Sequence, residues 1–175
     1  RCGMEKLSVE QFSEILDPAG LNEGSIFGAL SEDATRFLLD KGLILSVAAG
    51  ERVFSAGDSG DSFFVVCEGA LDFYKHHEGR RVNTRSVGHG GELGFVAMIA
   101  LQPHSGDAIA ATDSILLEIS SLLFSKLHEQ YPQDFGLITL NLSRDMARVI
   151  NQLGNALVET IAPADSAPSL RLKSG

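Results

Sequence analysis

The stretch Gly50-Glu51-Arg52-Val53-Phe54-Ser55-Ala56-Gly57-Asp58-Ser59-Gly60-Asp61-Ser62-Phe63-Phe64-Val65-Val66-Cys67-Glu68-Gly69-Ala70-Leu71-Asp72-Phe73-Tyr74 decides the fold. Short apolar runs (Val53-Phe54, Phe63 to Val66, Leu71 to Tyr74) alternate with turns at Gly57-Asp58, Gly60-Asp61 and Glu68-Gly69. Glycine enters positive φ without steric cost, and aspartate side chains close turns on their own backbone. The chain must double back every eight or so residues, which predicts a compact antiparallel β structure.

Composition bounds the rest. At 175 residues the chain suits one domain with appendages, able to bury about two-thirds of its unfolded surface. No run approaches the roughly 18 apolar residues of a membrane span, and the N-terminus lacks the apolar core of a signal peptide. No membrane partner is expected, and a cytoplasmic location is. Cys2 and Cys67 lie far apart, one in an expected tail and one in an expected strand, so no disulfide framework is implied. The formal charge of −9 opposes nonspecific nucleic-acid binding, which needs lysine and arginine against phosphate. No nucleic-acid partner is expected for this chain alone.

Three regions separate along the sequence. Residues 5–42 read as short helices, with Val9, Phe12, Ile15 and Leu16 at helical spacing, and Ala34, Phe37 and Leu38 likewise. Ser31 followed by Glu32 and Asp33 suits a helix start. Residues 43–119 read as strands, with hairpin turns at Glu68-Gly69 and at the tip His76-His77-Glu78-Gly79. Residues 121–161 are helical again. A first helix ends near Tyr131-Pro132, and a longer one starts near Gln133. Phe135, Ile138, Leu142, Met146, Val149, Leu153 and Leu157 form an apolar stripe along it, widened by Leu137, Leu140 and Ile150. So long an apolar helix needs cover, and homodimer pairing through it is the natural solution. The expected division is an N-terminal helical extension at 1–24, a domain at 25–160 that includes the long helix, and a disordered tail at 161–175.

The glycine-acid spacing of residues 50–74 closely resembles the first signature of the cyclic-nucleotide-binding domain family, the sensor of catabolite activator protein-like regulators. The segment Ile115-Leu116-Leu117-Glu118-Ile119-Ser120 followed by Phe124, and Met146-Ala147-Arg148 on the long helix, are similar to later parts of the same family. The resemblance implies a mainly β fold: a double-stranded antiparallel, jelly-roll-like β-roll with short N-terminal helices and a long C-terminal helix. It also implies a ligand cassette. There, amides at a helix N-terminus receive a cyclic phosphate, an arginine pairs with the phosphate, and a glutamate accepts the ribose 2′-hydroxyl. Gly91-Glu92-Leu93-Gly94 supplies the first half, with Glu92 as ribose acceptor and the amides near Leu93 and Gly94 as phosphate donors.

The second half departs from the family. Pro103-His104-Ser105-Gly106-Asp107-Ala108 carries His104 in the arginine slot and Ser105 as a phosphate donor. No arginine or lysine lies between Arg85 and Lys126, so no sequence neighbour restores the charge. The gap from Glu92 to His104 exceeds the family's by two or three residues, and Asp107 is expected to oppose an anion. Histidine, with an ordinary pKa of about 6.5, is mostly neutral at physiological pH. Loss of a bidentate arginine worth roughly 1.5–3 kcal/mol weakens binding by about 10- to 100-fold or more. The expected function is a regulatory ligand sensor with a degenerate phosphate site, signalling through the long helix. Its expected ligand is cAMP or cGMP, and no cofactor is expected. The competing readings are a sensor for a different small ligand and a ligand-free dimerisation scaffold.

Other chemistry is weaker. His76 and His77 are adjacent, so in a strand they point to opposite faces. His89, Glu92 and His104 are the only set with a route to one metal, and none is expected there. Cys67 alternates with Phe63 and Val65 as a core residue rather than a nucleophile. Arg80, Arg81 and Arg85 flank a hairpin tip and read as a solvated face. No catalytic set assembles, so an enzyme is not expected.

Overall fold

A computed structural model describes residues 3–22 and 26–161. The backbone divides into one unit ending at Leu142 and a second beginning at Ser143. Almost all of the predicted tail, from residue 162 on, lies outside the described residues, as do residues 1, 2 and 23–25 of the N-terminal segments.

The first unit is the predicted β-roll. Its strands are β1 (Glu5–Leu7), β2 (Leu43–Val47), β3 (Arg52–Phe54), β4 (Ser62–Glu68), β5 (Leu71–His77), β6 (Arg80–Val87), β7 (Glu92–Leu93), β8 (Asp107–Ala110) and β9 (Ser114–Ser120). They form two antiparallel sheets. Sheet A runs β1-β2-β9-β4-β7 and sheet B runs β3-β8-β5-β6. Between them lies a core that includes Leu45, Val47, Phe54, Phe64, Val66, Leu71 and Leu116. The expected turns are present. Gly57 and Gly69 hold φ of 89° and 84°, where an L side chain is strained. Gly60 has a different reason: a Cβ there would lie 2.2 Å from the carbonyl of Gln102. Cys67 is buried, and burial pushes its thiol pKa up to about 12, so it is inert core.

Residues 5–7 form a strand where short helices were predicted. Glu5-Lys6-Leu7 pairs with Ser46-Leu45-Ile44, because the open edge of β2 offers backbone partners that a three-residue segment lacks on its own. Helix α1 (Val9–Ile15) follows, begun by a capping box in which Ser8 and Gln11 satisfy each other's backbone N–H groups. Helix α2 (Glu32–Lys41) is capped by the Ser31 hydroxyl, with Glu32 and Asp33 in its first turn. Helix α3 (Phe95–Ile99) is one turn long. Helix α4 (Ser121–Gln130), capped by Ser120, stops at Tyr131 as the following proline requires.

Helix α5 (Pro132–Ile161) is the predicted long helix. Its first part is fastened to the N-terminal segment by polar contacts. Asp134 accepts from the Ser31 N–H and hydroxyl, and the Asn141 amide donates to the carbonyls of Ile26 and Gly28. Ile138 and Leu142 are fully buried. In the second unit the stripe is open: Ile150, Leu153, Leu157 and Val158 are all exposed.

Candidate ligand site

Strand β7 pairs with β4, setting Leu93 opposite Phe64 and Glu92 opposite Val65. Leu93 therefore belongs to the core, and Glu92 is only 1% exposed. A buried carboxylate needs partners. One oxygen of Glu92 accepts the N–H of Phe95 at 3.0 Å, and the other lies 3.6 Å from the guanidinium of Arg85. Gly91 and Gly94 are fixed by their surroundings. A Cβ on Gly91 would meet the Val87 side chain at 2.3 Å, and Gly94 starts α3 with φ of 105°.

The cassette then lengthens. The extra residues project Leu101, which is 92% exposed with φ of 54°. His104 returns the chain to the roll through two backbone hydrogen bonds, its N–H to Asp58 and its carbonyl from Gly57. Its ring is 5% exposed and stacks on Phe54, with centroids 3.8 Å apart and planes 13° apart. Burial lowers the imidazole pKa, and the opposing pull of Asp58 and Asp61 is smaller. The residue in the arginine slot is thus a neutral ring stacked against the core.

That state has a measurable consequence. The unfolded chain takes up a proton near pH 6.5 and the folded chain only at lower pH, so acid favours unfolding. Stability from this group is complete above about pH 6.5 and is lost as the pH falls through the folded value. Thermal melting should show a fall in Tm between pH 7.5 and 5.5 that is smaller in His104→Gln. An equal fall in both proteins would dissociate the ring from acid sensitivity.

Past His104 the chain presses onto β5. A Cβ on Gly106 would lie 2.3 Å from the carbonyl of Tyr74 and 2.7 Å from the Phe73 ring, so only glycine allows this approach. Ser105 is thereby brought beside Lys75, whose ammonium donates to its hydroxyl. The same ammonium lies 5.6 Å from the Phe73 ring centroid. Phe73 is also the cross-strand partner of Arg85. Two cations absent from the cassette, Lys75 and Arg85, thus attend its serine and its glutamate. Arg85 is not part of a solvated face, as its position near a hairpin tip suggested: its side chain is 20% exposed and paired with Glu92.

Asp107 does not stand as an open negative charge. It is 4% exposed, accepts the Ala56 N–H at 2.9 Å, and lies 3.0 Å from the His76 ring and 3.7 Å from Arg52. The Ala56 hydrogen bond, aided by His76 and Arg52 against the cost of burial, holds its pKa below the usual carboxylate value. His89 hydrogen-bonds the Cys67 carbonyl through Nδ1, so His89, Glu92 and His104 each have a different partner. Sequence reasoning missed Lys75 and Arg85 because it searched for a cation along the cassette. The alternation of Phe73 and Lys75 on one face of β5 was the available signal.

Comparison with known proteins agrees with this geometry. The sequence profile of the cyclic nucleotide-binding domain matches residues 44–131. A cAMP-dependent protein kinase regulatory subunit from Yarrowia lipolytica is 31% identical over 121 residues, covering 69% of this chain and 31% of that protein's length. A cyclic nucleotide-binding domain from Methylobacillus flagellatus superposes with a TM-score of 0.71 at 19% identity, covering 95% of this chain and 92% of the other. The Thermus thermophilus catabolite activator protein gives a TM-score of 0.65 at 22% identity over 75% of this chain and 61% of that one. At these identities the two structures speak for the fold alone.

Proposed function

The chain belongs to the cyclic nucleotide-binding domain family, and from that premise we propose that it is a regulatory, non-catalytic sensor for cAMP or cGMP. The observation that carries this reading is Lys75 at Ser105. Its ammonium stands beside the serine that follows the arginine slot, where the phosphate charge is to be met. Ser105 and the amides near Leu93 and Gly94 donate to phosphate oxygens, with Gly91 and Gly94 leaving room for the backbone to approach. Glu92, held by Arg85 and Phe95, accepts the ribose hydroxyl. Lysine offers a point charge where arginine offers a planar fork, so the affinity is weaker than that of an arginine site by about 10-fold or more. His104 acts here as a positioning residue that anchors the cassette to the core.

Ligand binding favours one pose of α5, and the shift is limited by the ligand's difference in affinity between the two poses. The exposed Ile150, Leu153, Leu157 and Val158 support pairing of two chains through the second part of α5. These same residues also favour the competing reading, a dimerisation scaffold without ligand.

Calorimetric titration with cAMP and cGMP at pH 6.0 and 8.0, with 5′-AMP as control, separates the two. Micromolar binding is expected, without the gain at pH 6.0 that a protonated His104 would bring because burial disfavours its charged form, and weakened at least tenfold in Lys75→Ala. A folded protein that takes up neither nucleotide would leave the scaffold or a sensor of another ligand.

A further inference from the structure

The two cations that attend the cassette stand on one face of sheet B. Phe73 of β5 lies opposite Arg85 of β6, and directly opposed residues share a face. Phe73 packs against the core, so this face is the inner one. Lys75 shares it by alternation, farther out, where the face opens to solvent. Its ammonium folds back over the Phe73 ring, 5.6 Å from the centroid. A diagonal pair such as Lys75 and Arg85 has Cβ atoms roughly 7–8 Å apart, within reach of two long side chains. The two ends of the cassette arrive at this pair, Ser105 at Lys75 and Glu92 at Arg85.

Two cations this close repel each other unless anions join them. Glu92 balances one of them. Lys75 meets a hydroxyl and a ring, and no carboxylate among the described residues pairs with it. Asp72 alternates to the opposite face of β5, where it accepts from the Tyr74 and Ser86 hydroxyls. Lys75, Arg85 and Glu92 together therefore carry one uncompensated positive charge. That charge is the complement of a cyclic phosphodiester, a monoanion at neutral pH.

Resting on the nucleotide reading, we propose that Arg85 is a second partner of the cyclic phosphate, supplied by β6 where the cassette itself holds His104. In a 3′,5′-cyclic nucleotide the 2′-hydroxyl is vicinal to the 3′-oxygen of the phosphate ring. A guanidinium on the carboxylate that accepts this hydroxyl thus stands beside the phosphate. Its planar fork has five N–H donors, so one edge stays on Glu92 while another meets a phosphate oxygen. Lys75 meets the phosphate from the side of Ser105. Because the fork is shared, Arg85 holds the phosphate less firmly than an undivided arginine would.

The test is calorimetric titration of the full chain with cAMP and cGMP, the two phosphorothioate diastereomers of whichever binds more tightly, and its 2′-deoxy analogue. In the unmodified protein, sulfur at either exocyclic position and loss of the 2′-hydroxyl should each weaken binding about fivefold or more. Arg85→Gln should weaken the parent nucleotide about tenfold and erase the penalty for sulfur at one position. The 2′-deoxy penalty should remain. A residue that merely held Glu92 would give the reverse, a lost 2′-deoxy penalty with both sulfur penalties kept, and that result overturns the proposal. Unchanged affinity in Arg85→Gln, or no sulfur penalty in the unmodified protein, also overturns it while leaving the nucleotide reading intact. If the unmodified protein takes up neither cyclic nucleotide, both fall. Should Arg85→Gln fail to fold, the Nε–H resonance of Arg85 in the unmodified protein decides. It should move to a different position with each diastereomer, and one common position for both overturns the proposal.

Discussion

Replacing Glu92 by alanine is expected to abolish nucleotide binding and to cost about 2–4 kcal/mol of stability together. The two losses have one cause. Glu92 is buried, its oxygens divided between the Phe95 N–H and Arg85. Truncation leaves the amide that begins α3 without its acceptor, and it strips a mostly buried guanidinium of its counter-charge. The Arg85 contribution is the smaller, because its side chain keeps 20% of its surface in water. Glu92→Gln separates the effects. Its carbonyl can still accept the Phe95 N–H, so urea unfolding should show about 1–2 kcal/mol lost, while calorimetry still shows strongly weakened binding. If Glu92→Ala unfolds at the same urea concentration as the unmodified chain, the carboxylate does not hold the cassette. If it binds nucleotide normally, the ribose role fails.

The second large effect is expected at Phe95. This ring is fully buried on α3 and meets Phe63 of β4 and Phe124 of α4 edge-on, at 5.4 and 5.9 Å between centroids. Phe124 in turn lies 4.8 Å from Phe135 at the start of α5. The four rings join the cassette helix to the helices that follow the roll. Phe95→Ala should cost about 3–5 kcal/mol, the usual range for a buried phenylalanine. Phe95→Leu should cost less and leave the fold intact, while loosening the link. Hydrogen exchange in residues 121–142 of Phe95→Leu should rise more than exchange in β5 and β6. A uniform rise across both regions would mean that the rings stabilise the roll without coupling the cassette to α4 and α5.

The parts of this molecule that were legible in its sequence are those fixed by local rules. The turns at Gly57 and Gly69 follow from glycine's access to positive φ, and the break at Tyr131 follows from Pro132. The repeated apolar spacing after Pro132 gives α5 its length. The motif singled out Glu92, and the structure buries it against the Phe95 N–H and Arg85. What escaped depends on pairing between distant segments. Lys75 reaches Ser105 because β5 pairs with β8, with Tyr74 opposite Asp107. No neighbour of Ser105 in the chain announces that contact. Counting along the cassette put His104 in the arginine slot, but its conformation is set by Phe54 and by the backbone of Gly57 and Asp58. Strand β1 is the same case, since three residues without a periodic pattern take the state that β2 offers them.

The sheet order has a further consequence, for aggregation. Two open sheets have four edges, and every edge exposes backbone groups able to recruit a strand from another molecule. Three of these edges, β1, β3 and β7, are three residues long or shorter, too brief to template a stable ladder. The fourth, β6, is eight residues long and would be the hazard. It carries Arg80 and Arg81 in its exposed first half, and charged side chains along an edge disfavour the approach of another strand. The roll thus keeps its own backbone from becoming a seed for strand-by-strand polymerisation.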